Sequence, residues 1–498
     1  MNLVRLLIEG ANAQPDHPAL LFEGEVLSYS ELDLQTNRCA NLFERLGVSR
    51  GTVVALYLES CPELVIAYLG ALKLGAVPNV VNASLKPEEV RLVVADSKAL
   101  IMVTDPSRWE SLKPLGHELG TREILVTGKE PSPAGTRPFT NELASEDHRY
   151  ETIDAEPEDL ASLLYTSGTT GSPKGVMLTH RNILDNAVQF SRVHYEKEDR
   201  LLIAAPLFHC WGLINGVLGA LATQASAIFV RRYRTEPLLD LIEASRPTVL
   251  LAVPTMINYM AKSPTIASRD LSSLRTVLCA AAPMPLELID VLRRDWKIGY
   301  AESYGLTETS PVITTTHYSE LKPGSCGRAM GDTLLKVASP DGSSVPPGAI
   351  GELWAHGTAI SAGYYQRPEA TQQVFTPDGW FKTGDIVRID DDGYLFIVDR
   401  AKDMINVGGA KVYPRDVEEV LHRHPAVADA VVVGIPDPDR GEVVKAYVVL
   451  KPGCSWSSDE VIAFLEPHLA DFKVPRSVAF LESIPRSPSG KALRRLLR

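Results

Sequence analysis

At 498 residues the chain is too long for one compact core and is expected to divide into domains. Apolar residues make up 45% and charged residues 22%, ordinary for a soluble globular protein, and the net charge of −12 argues against a broad nucleic-acid footprint. Six cysteines (Cys39, Cys61, Cys210, Cys279, Cys326, Cys454) form no CxxC pair, which fits a reducing cytosol and offers no zinc pattern. The stretch Met1 to Glu9 is interrupted by charge too early for a signal peptide, and no apolar run reaches membrane-spanning length. The expectation is a cytoplasmic protein with no integral membrane segment.

From residue 1 to about 160, helical and strand patterns alternate as in α/β chains. Leu32 to Leu46 reads as an amphipathic helix ending at Gly47, and Val53 to Leu58 as a buried strand. Pro62 to Leu74 reads as a helix closed by Gly75, followed by a strand over Ala76 to Val81. Ser107 to Asp159 is polar and Pro-rich and is expected on the surface. Strand–helix alternation resumes over 201–310, with β-rich runs at Thr248 to Pro254 and Thr276 to Ala280. Between 325 and 398, short strands are separated by Asp-Gly turns, predicting a small β-rich subdomain. After Arg400 a small α+β unit begins, with helices over Val417 to His424 and Ser458 to Leu469 and strands over Val427 to Gly434 and Val443 to Leu450.

The stretch Tyr165 to Gly175, YTSGTTGSPKG, holds Gly, Ser or Thr at eight of its eleven positions and sits between apolar segments. Residues this small let backbone N–H groups approach a polyanion, their hydroxyls add donors, and Lys174 adds positive charge. It is not a Walker loop, since Pro173 precedes the lysine and Gly175 follows it. A tract of this composition is otherwise a linker. A linker has no need of a lysine behind a proline, so the local reading is a phosphate-gripping loop, followed by a strand edge and a helix start over Val176 to Asn182.

This stretch resembles the signature of the adenylate-forming superfamily: acyl-CoA synthetases, peptide-synthetase adenylation domains and firefly luciferases. The resemblance covers essentially the whole chain, with the motifs in order. It implies an α/β protein: an N-terminal adenylation domain over 1–399 with a small β-rich subdomain, a hinge at 400–402, and a mobile α+β C-terminal domain over 403–498. Thr166, Ser167, Gly168, Thr169, Thr170 and Lys174 would hold the ATP phosphates.

The later motifs carry roles the resemblance implies. His209, in Pro206 to Gly212, lies between apolar residues, where a histidine is more often a satisfied core residue; the family places one at the mouth of the acyl pocket, so His209 would orient or gate the carboxylate. Glu302 to Thr309 resembles the second nucleotide motif. Within it Glu302 and Ser303 adjoin the nucleotide, Tyr304 can stack on adenine, Gly305 permits close approach, Thr307 can bond a phosphate and Glu308 can hold Mg²⁺. Ala280, Ala281, Ala282 and Pro283 would form the adenine wall and the pocket floor, where family members often have glycines. Asp385 would bind the ribose hydroxyls, Arg400 ribose and phosphate, and Lys402 would be the hinge. Gly408, Gly409 and Lys411 would line the path of the CoA arm. Lys491, in the terminal Ser-Gly-Lys, would be the catalytic lysine, although a bare run with Arg494, Arg495 and Arg498 would be a solvated tail.

The implied activity is an acid–thiol ligase using ATP, Mg²⁺ and coenzyme A on a small-molecule carboxylic acid. Gly305 to Pro311 resembles fatty acyl-CoA synthetases more than amino-acid adenylation domains, Trp211, Leu213 and Ile214 suggest an apolar pocket, and the expected acid is a medium- or long-chain fatty acid. An aryl acid such as benzoate or a cinnamate is the alternative, and loading of a separate carrier protein a third reading, since no carrier-like sequence follows residue 498. A different class is a non-catalytic adenylate-binding homologue; intact Glu308, Asp385, Arg400 and Lys491 oppose it. The sequence leaves a homodimer open. If the segment after His209 is extended or turning, Trp211 shares its cavity, and Trp211→Ala would shift preference toward longer or bulkier acids.

Overall fold

The computed structural model describes residues 2–128, 132–166, 173–400, 403–407, 410–438, 440–486 and 492–497; the side chains of Arg400, Lys411 and Arg495 are outside the description. The chain separates into two compact units, Met1–Leu334 with His356–Phe381, and Leu335–Ala355 with Lys382–Arg498.

The first unit is α/β, with two large sheets. In the nine-stranded sheet the order runs Arg328–Ala329, Thr314–Thr315, Gly299–Tyr304, Thr276–Cys279, Val249–Ala252, Arg200–Ile203, Ser226–Phe229, Pro18–Phe22, Glu25–Ser28. Its central strands are parallel and its edges antiparallel. The seven-stranded sheet runs Arg137–Pro138, Glu123–Val126, Ile101–Thr104, Val53–Tyr57, Val77–Val80, Leu160–Thr166, Lys174–Thr179, parallel except for its last pair.

Both faces of these sheets are covered, as parallel sheets require. Along the nine-stranded sheet, Leu201, Ile203, Val249, Leu251, Leu278 and Ala301 join the main core. Their neighbours Leu202, Leu250, Ala252, Val277, Cys279 and Tyr300 join a second cluster on the opposite face. The seven-stranded sheet divides the same way, Val54, Leu56, Ile101 and Val103 against Val53, Ala55, Tyr57 and Met102. This is the two-residue alternation of a strand, apolar on both sides.

Several boundaries follow from local chemistry. Ser28 caps the helix Tyr29–Arg45 by accepting from Glu31 N at 3.2 Å, while the Glu31 carboxylate accepts from Ser28 N at 2.8 Å. Thr179 and Asn182 make the same reciprocal pair at the start of the helix His180–His194, so the strand and helix start expected after the Gly-rich stretch are present. The expectation of a surface stretch over Ser107 to Asp159 is corrected. Its strand Glu123–Val126 lies inside the seven-stranded sheet, and Trp109, Leu125, Phe139 and Leu143 are buried. Short apolar runs inside polar sequence are too weak a periodic signal to reveal this.

The helix His180–His194 begins and ends on a buried histidine that is neutral when folded. His180 Nδ1 accepts from Leu3 N at 3.0 Å, and burial lowers its pKa from 6.5 to about 4. Burial lowers that of His194 to about 3. In the unfolded chain both protonate near pH 6.5, so stability is full above that pH and lost as the pH falls toward about 4 and about 3. Each group is expected to cost about 1.4 kcal/mol per pH unit in that window. Urea unfolding at pH 7.5 and 5 would show this, and His194→Gln should flatten the slope.

The second unit holds two smaller sheets. One has the order Leu334–Ala338, Gly351–His356, Phe381–Ile389, Leu395–Arg400. In the other, Ala410–Val412, Ile405–Val407, Gly441–Leu450 and Val427–Asp437 are neighbours, and Ser477–Phe480 runs parallel to Gly441–Leu450. The helices Pro414–His422 and Ser458–Leu465 bury Val417, Val420, Leu421, Val461 and Leu465 against Val432, Val444 and Val448. No described helix is long and apolar enough to cross a membrane.

Candidate active site

In the nine-stranded sheet, four adjacent parallel strands end along one edge, and the chemistry-bearing segments leave from there. Arg200–Ile203 leads to His209, Thr276–Cys279 to Ala280–Pro283, and Gly299–Tyr304 to Gly305–Glu308. The carboxyl ends of parallel strands are where α/β folds place their ligand crevices. Two of these segments touch: Cys210 Sγ points at Thr307 Oγ1 from 3.9 Å.

Glu302 and Ser303 turn their side chains into the sheet. Glu302 accepts from Tyr300 OH at 2.8 Å, and Ser303 Oγ lies 2.9 Å from Thr315 Oγ1, which in turn meets His194 Nε2 at 2.8 Å. After Tyr304, which is buried, the chain turns tightly through Gly305 and a 3₁₀ turn at Thr307–Thr309. A Cβ on residue 305 would lie 1.7 Å from the carbonyl oxygen of Pro311. The chain's own backbone therefore requires a residue without a side chain at this position. Thr309 closes the turn, donating to Pro311 O at 2.7 Å and accepting from Leu306 N at 2.9 Å.

Ala280 is buried, Ala282 half-buried, and Ala281 and Pro283 exposed. Ala281 has φ +75°, a left-handed conformation that costs a residue with a Cβ and that glycine adopts freely.

The antiparallel pair Leu160–Thr166 and Lys174–Thr179 sets Thr166 opposite Lys174 and Tyr165 opposite Gly175. Ser167, Gly168, Thr169 and Thr170 lie outside the described residues. Tyr165 donates to Asp96 Oδ2 at 2.7 Å; Asp96 is also bonded by Arg367, and burial raises the Tyr165 pKa, so the phenol stays a donor.

The segment Ser361–Tyr365 runs along this hairpin. Met177 N donates to Gly363 O at 2.9 Å, Ala362 N to Met177 O at 3.0 Å and Tyr365 N to Gly175 O at 2.8 Å. Ser361 N donates to Glu308 O at 2.9 Å. The strap thereby brings Tyr364 between two expected site residues. Its hydroxyl donates to Glu308 Oε1 at 2.8 Å, and Lys174 Nζ stands 5.1 Å from its ring centroid. Sequence reading missed Tyr364; the pair Tyr364-Tyr365 carries no pattern that distinguishes it from core aromatics.

His209 is half-buried, its ring 4.8 Å from that of Phe208. Beyond it the chain is a π-helical stretch, Trp211–Leu218, not the extended segment on which the Trp211 expectation depended. On a helix, residues two apart face different ways. The Trp211 indole is 6% exposed, donates to Ala252 O at 3.3 Å and meets the Phe190 ring edge-on at 5.4 Å, and Leu213 is buried. Trp211→Ala is therefore expected to lose about 3–5 kcal/mol of stability. A lower melting temperature with an unchanged acid profile would match that packing; a shifted profile at unchanged stability would contradict it.

In the second unit, Asp385 is 2% exposed and stands opposite Arg400 in the ladder of Phe381–Ile389 with Leu395–Arg400. Asp399 Oδ2 accepts from Arg415 N at 3.0 Å. Asn406 stands opposite Lys411. Lys402, Gly408, Gly409 and Lys491 lie outside the described residues. Arg494 is no solvated tail: it forks onto Glu418 at 2.8 and 2.9 Å, with Asp403 at 3.7 Å.

Segments that leave the carboxyl ends of parallel strands, with Glu308 and Lys174 both against Tyr364, lie where an α/β fold places a ligand crevice. The family model described as "AMP-binding enzyme" matches residues 7–365, and that of the "AMP-binding enzyme C-terminal domain" matches 416–491. The chain is 35% identical to 4-coumarate–CoA ligase 2 of Solanum tuberosum over 99% of its own length and 90% of that protein. It is 37% identical to a feruloyl-CoA synthase of Amycolatopsis sp over 98% of its length and 96% of that protein. Among solved structures it superposes on the anthranilate CoA ligase AuaEII in complex with anthranoyl-AMP with a TM-score of 0.94, at 27% identity, covering 100% of this chain and 96% of that one. The chain belongs to the AMP-binding, adenylate-forming enzyme family, in its branch of ATP-dependent, AMP-forming acid–CoA ligases.

Proposed function

We propose that this ligase activates an aryl acid of the hydroxycinnamate type and transfers it to coenzyme A. The observation that carries this is near end-to-end similarity to ligases named for 4-coumarate and ferulate. The expectation of a fatty acid rested on the resemblance of Gly305 to Pro311 to fatty acyl-CoA synthetases and on apolar residues after His209. Apolar surface accepts an alkyl chain and an aromatic ring alike, and Trp211 and Leu213 are core residues of the fold.

In the first half-reaction the carboxylate oxygen attacks the α-phosphate of ATP in line, and the bond to the β,γ-pyrophosphate breaks. The residues 166–174 would hold the departing phosphates, and Lys491 would bridge the carboxylate and α-phosphate oxygens. Asp385 and Arg400 would bind the ribose, and His209 would orient the acid. In the second half-reaction the CoA thiolate attacks the acyl carbonyl and AMP leaves. Residues from Lys402 onward would turn between the two steps, bringing Gly408, Gly409 and Lys411 to the thiol arm.

Glu308 fits a Mg²⁺ ion. Its buried carboxylate gives one oxygen to Tyr364, and the other accepts no bond among the described residues. One carboxylate with substrate phosphates and water is the usual binding set for this ion, which would neutralise the triphosphate.

The test is pyrophosphate release across a panel of acids. Specificity constants for 4-coumarate and ferulate are expected to exceed those for hexanoate and palmitate by about tenfold or more. Leading fatty acids would overturn the acid assignment; no release with any acid would overturn the catalytic reading.

A further inference from the structure

We propose that Tyr364 is a positioning residue for adenylation, holding the Glu308 carboxylate and the Lys174 ammonium apart and aimed at one metal–nucleotide complex. The proposal rests on the reading of Glu308 as the metal-holding carboxylate. An acid and a base this close to one ring would ordinarily pair with each other, which would cancel the two charges that a metal and a triphosphate need. Among the described residues no ion pair joins Lys174 and Glu308. Each instead meets a different part of Tyr364: the carboxylate takes the hydroxyl at 2.8 Å, and the ammonium faces the ring at 5.1 Å.

Tyr364 is itself held on several sides. Its ring is 8% exposed and meets Phe375 nearly edge-on, at 73°. Its backbone forms a β-bridge to Val176, and its N–H donates to Thr371 Oγ1 at 3.0 Å. Just before it, Gly363 has φ +108°, and a Cβ there would lie 2.5 Å from Thr371 Cγ2, so the strap enters in a conformation only glycine allows. With one Glu308 oxygen taken by the phenol, the direction of the other is set by that bond.

The experiment compares Tyr364→Phe and Tyr364→Leu with the wild type by calorimetric titration with ATP, once with Mg²⁺ and once with EDTA. Pyrophosphate release and thioesterification of supplied acyl-adenylate are measured alongside. Phenylalanine keeps the ring and removes only the bond to Glu308. It is expected to weaken MgATP binding about tenfold, the worth of one hydrogen bond to a charged group, with ATP in EDTA unchanged. Its Mg²⁺ requirement for pyrophosphate release should rise, and the thioester step should stay within about twofold of wild type. Leucine removes the ring as well and should weaken both forms of ATP. Equal weakening of both forms by phenylalanine, or wild-type MgATP binding in that variant, overturns the proposal. Wild-type protein that binds ATP equally well with and without Mg²⁺ overturns the reading of Glu308 beneath it.

Discussion

Lys491→Ala is expected to lower adenylation by about a hundred- to a thousandfold and to leave thioesterification of supplied acyl-adenylate much less affected. In adenylation, negative charge builds on the α-phosphate as the carboxylate arrives. A preorganised ammonium there stabilises the transition state more than the ground state, and removal of one such donor typically costs this much. The second half-reaction has no such need, because the new nucleophile is a thiolate and the leaving group already carries its phosphate. Assaying each half-reaction separately resolves the two. An equal loss in both would mean that Lys491 serves the fold and not the first chemical step. Lys491→Arg would keep charge but not the compact point shape, and is expected to recover little activity.

Gly305→Ala is expected to have the second-largest effect. The new Cβ would lie 1.7 Å from the Pro311 carbonyl oxygen and 2.8 Å from Thr309 Oγ1. The first contact is backbone, in a turn tied by the two Thr309 bonds, so no flexible side chain can make room. The turn must open, and it carries both Tyr304 and Glu308. A stability loss of about 3 kcal/mol or more is expected from overpacking a fixed site. The KM for ATP should rise even at temperatures where the variant is folded. Thermal melts with ATP saturation curves check this. A variant with wild-type melting temperature and KM would show that the turn is more compliant than its bonds indicate.

The sequence was most informative where structure is local. The strand edge and the helix start over Val176 to Asn182 needed only neighbouring residues, and they lie where the pattern places them. The alternation of strand and helix runs was enough for an α/β fold, and the length and order of the motifs were enough for the family. It was least informative for Trp211. An apolar run is compatible with an extended segment or a helix, and the two put residues 209 and 211 on the same or different sides. The run alone does not choose; the Ala252 carbonyl and the Phe190 ring receive the indole, and both come from elsewhere in the chain.

The resemblance carried by the motifs and their order was enough for an α/β fold and for the adenylate-forming family, both of which the comparisons show. Those properties are encoded by residues near one another in the chain, or by signatures that survive without coordinates. Which residues share a site was decided by tertiary structure alone. Lys174, Glu308 and Tyr364 lie far apart in sequence, and none specifies its partners. They meet because the strap 361–365 adds itself to the edge of Lys174–Thr179 and bonds back to Glu308 through Ser361. That edge offers unpaired backbone groups, and only a folded chain can present another segment with the complementary ones.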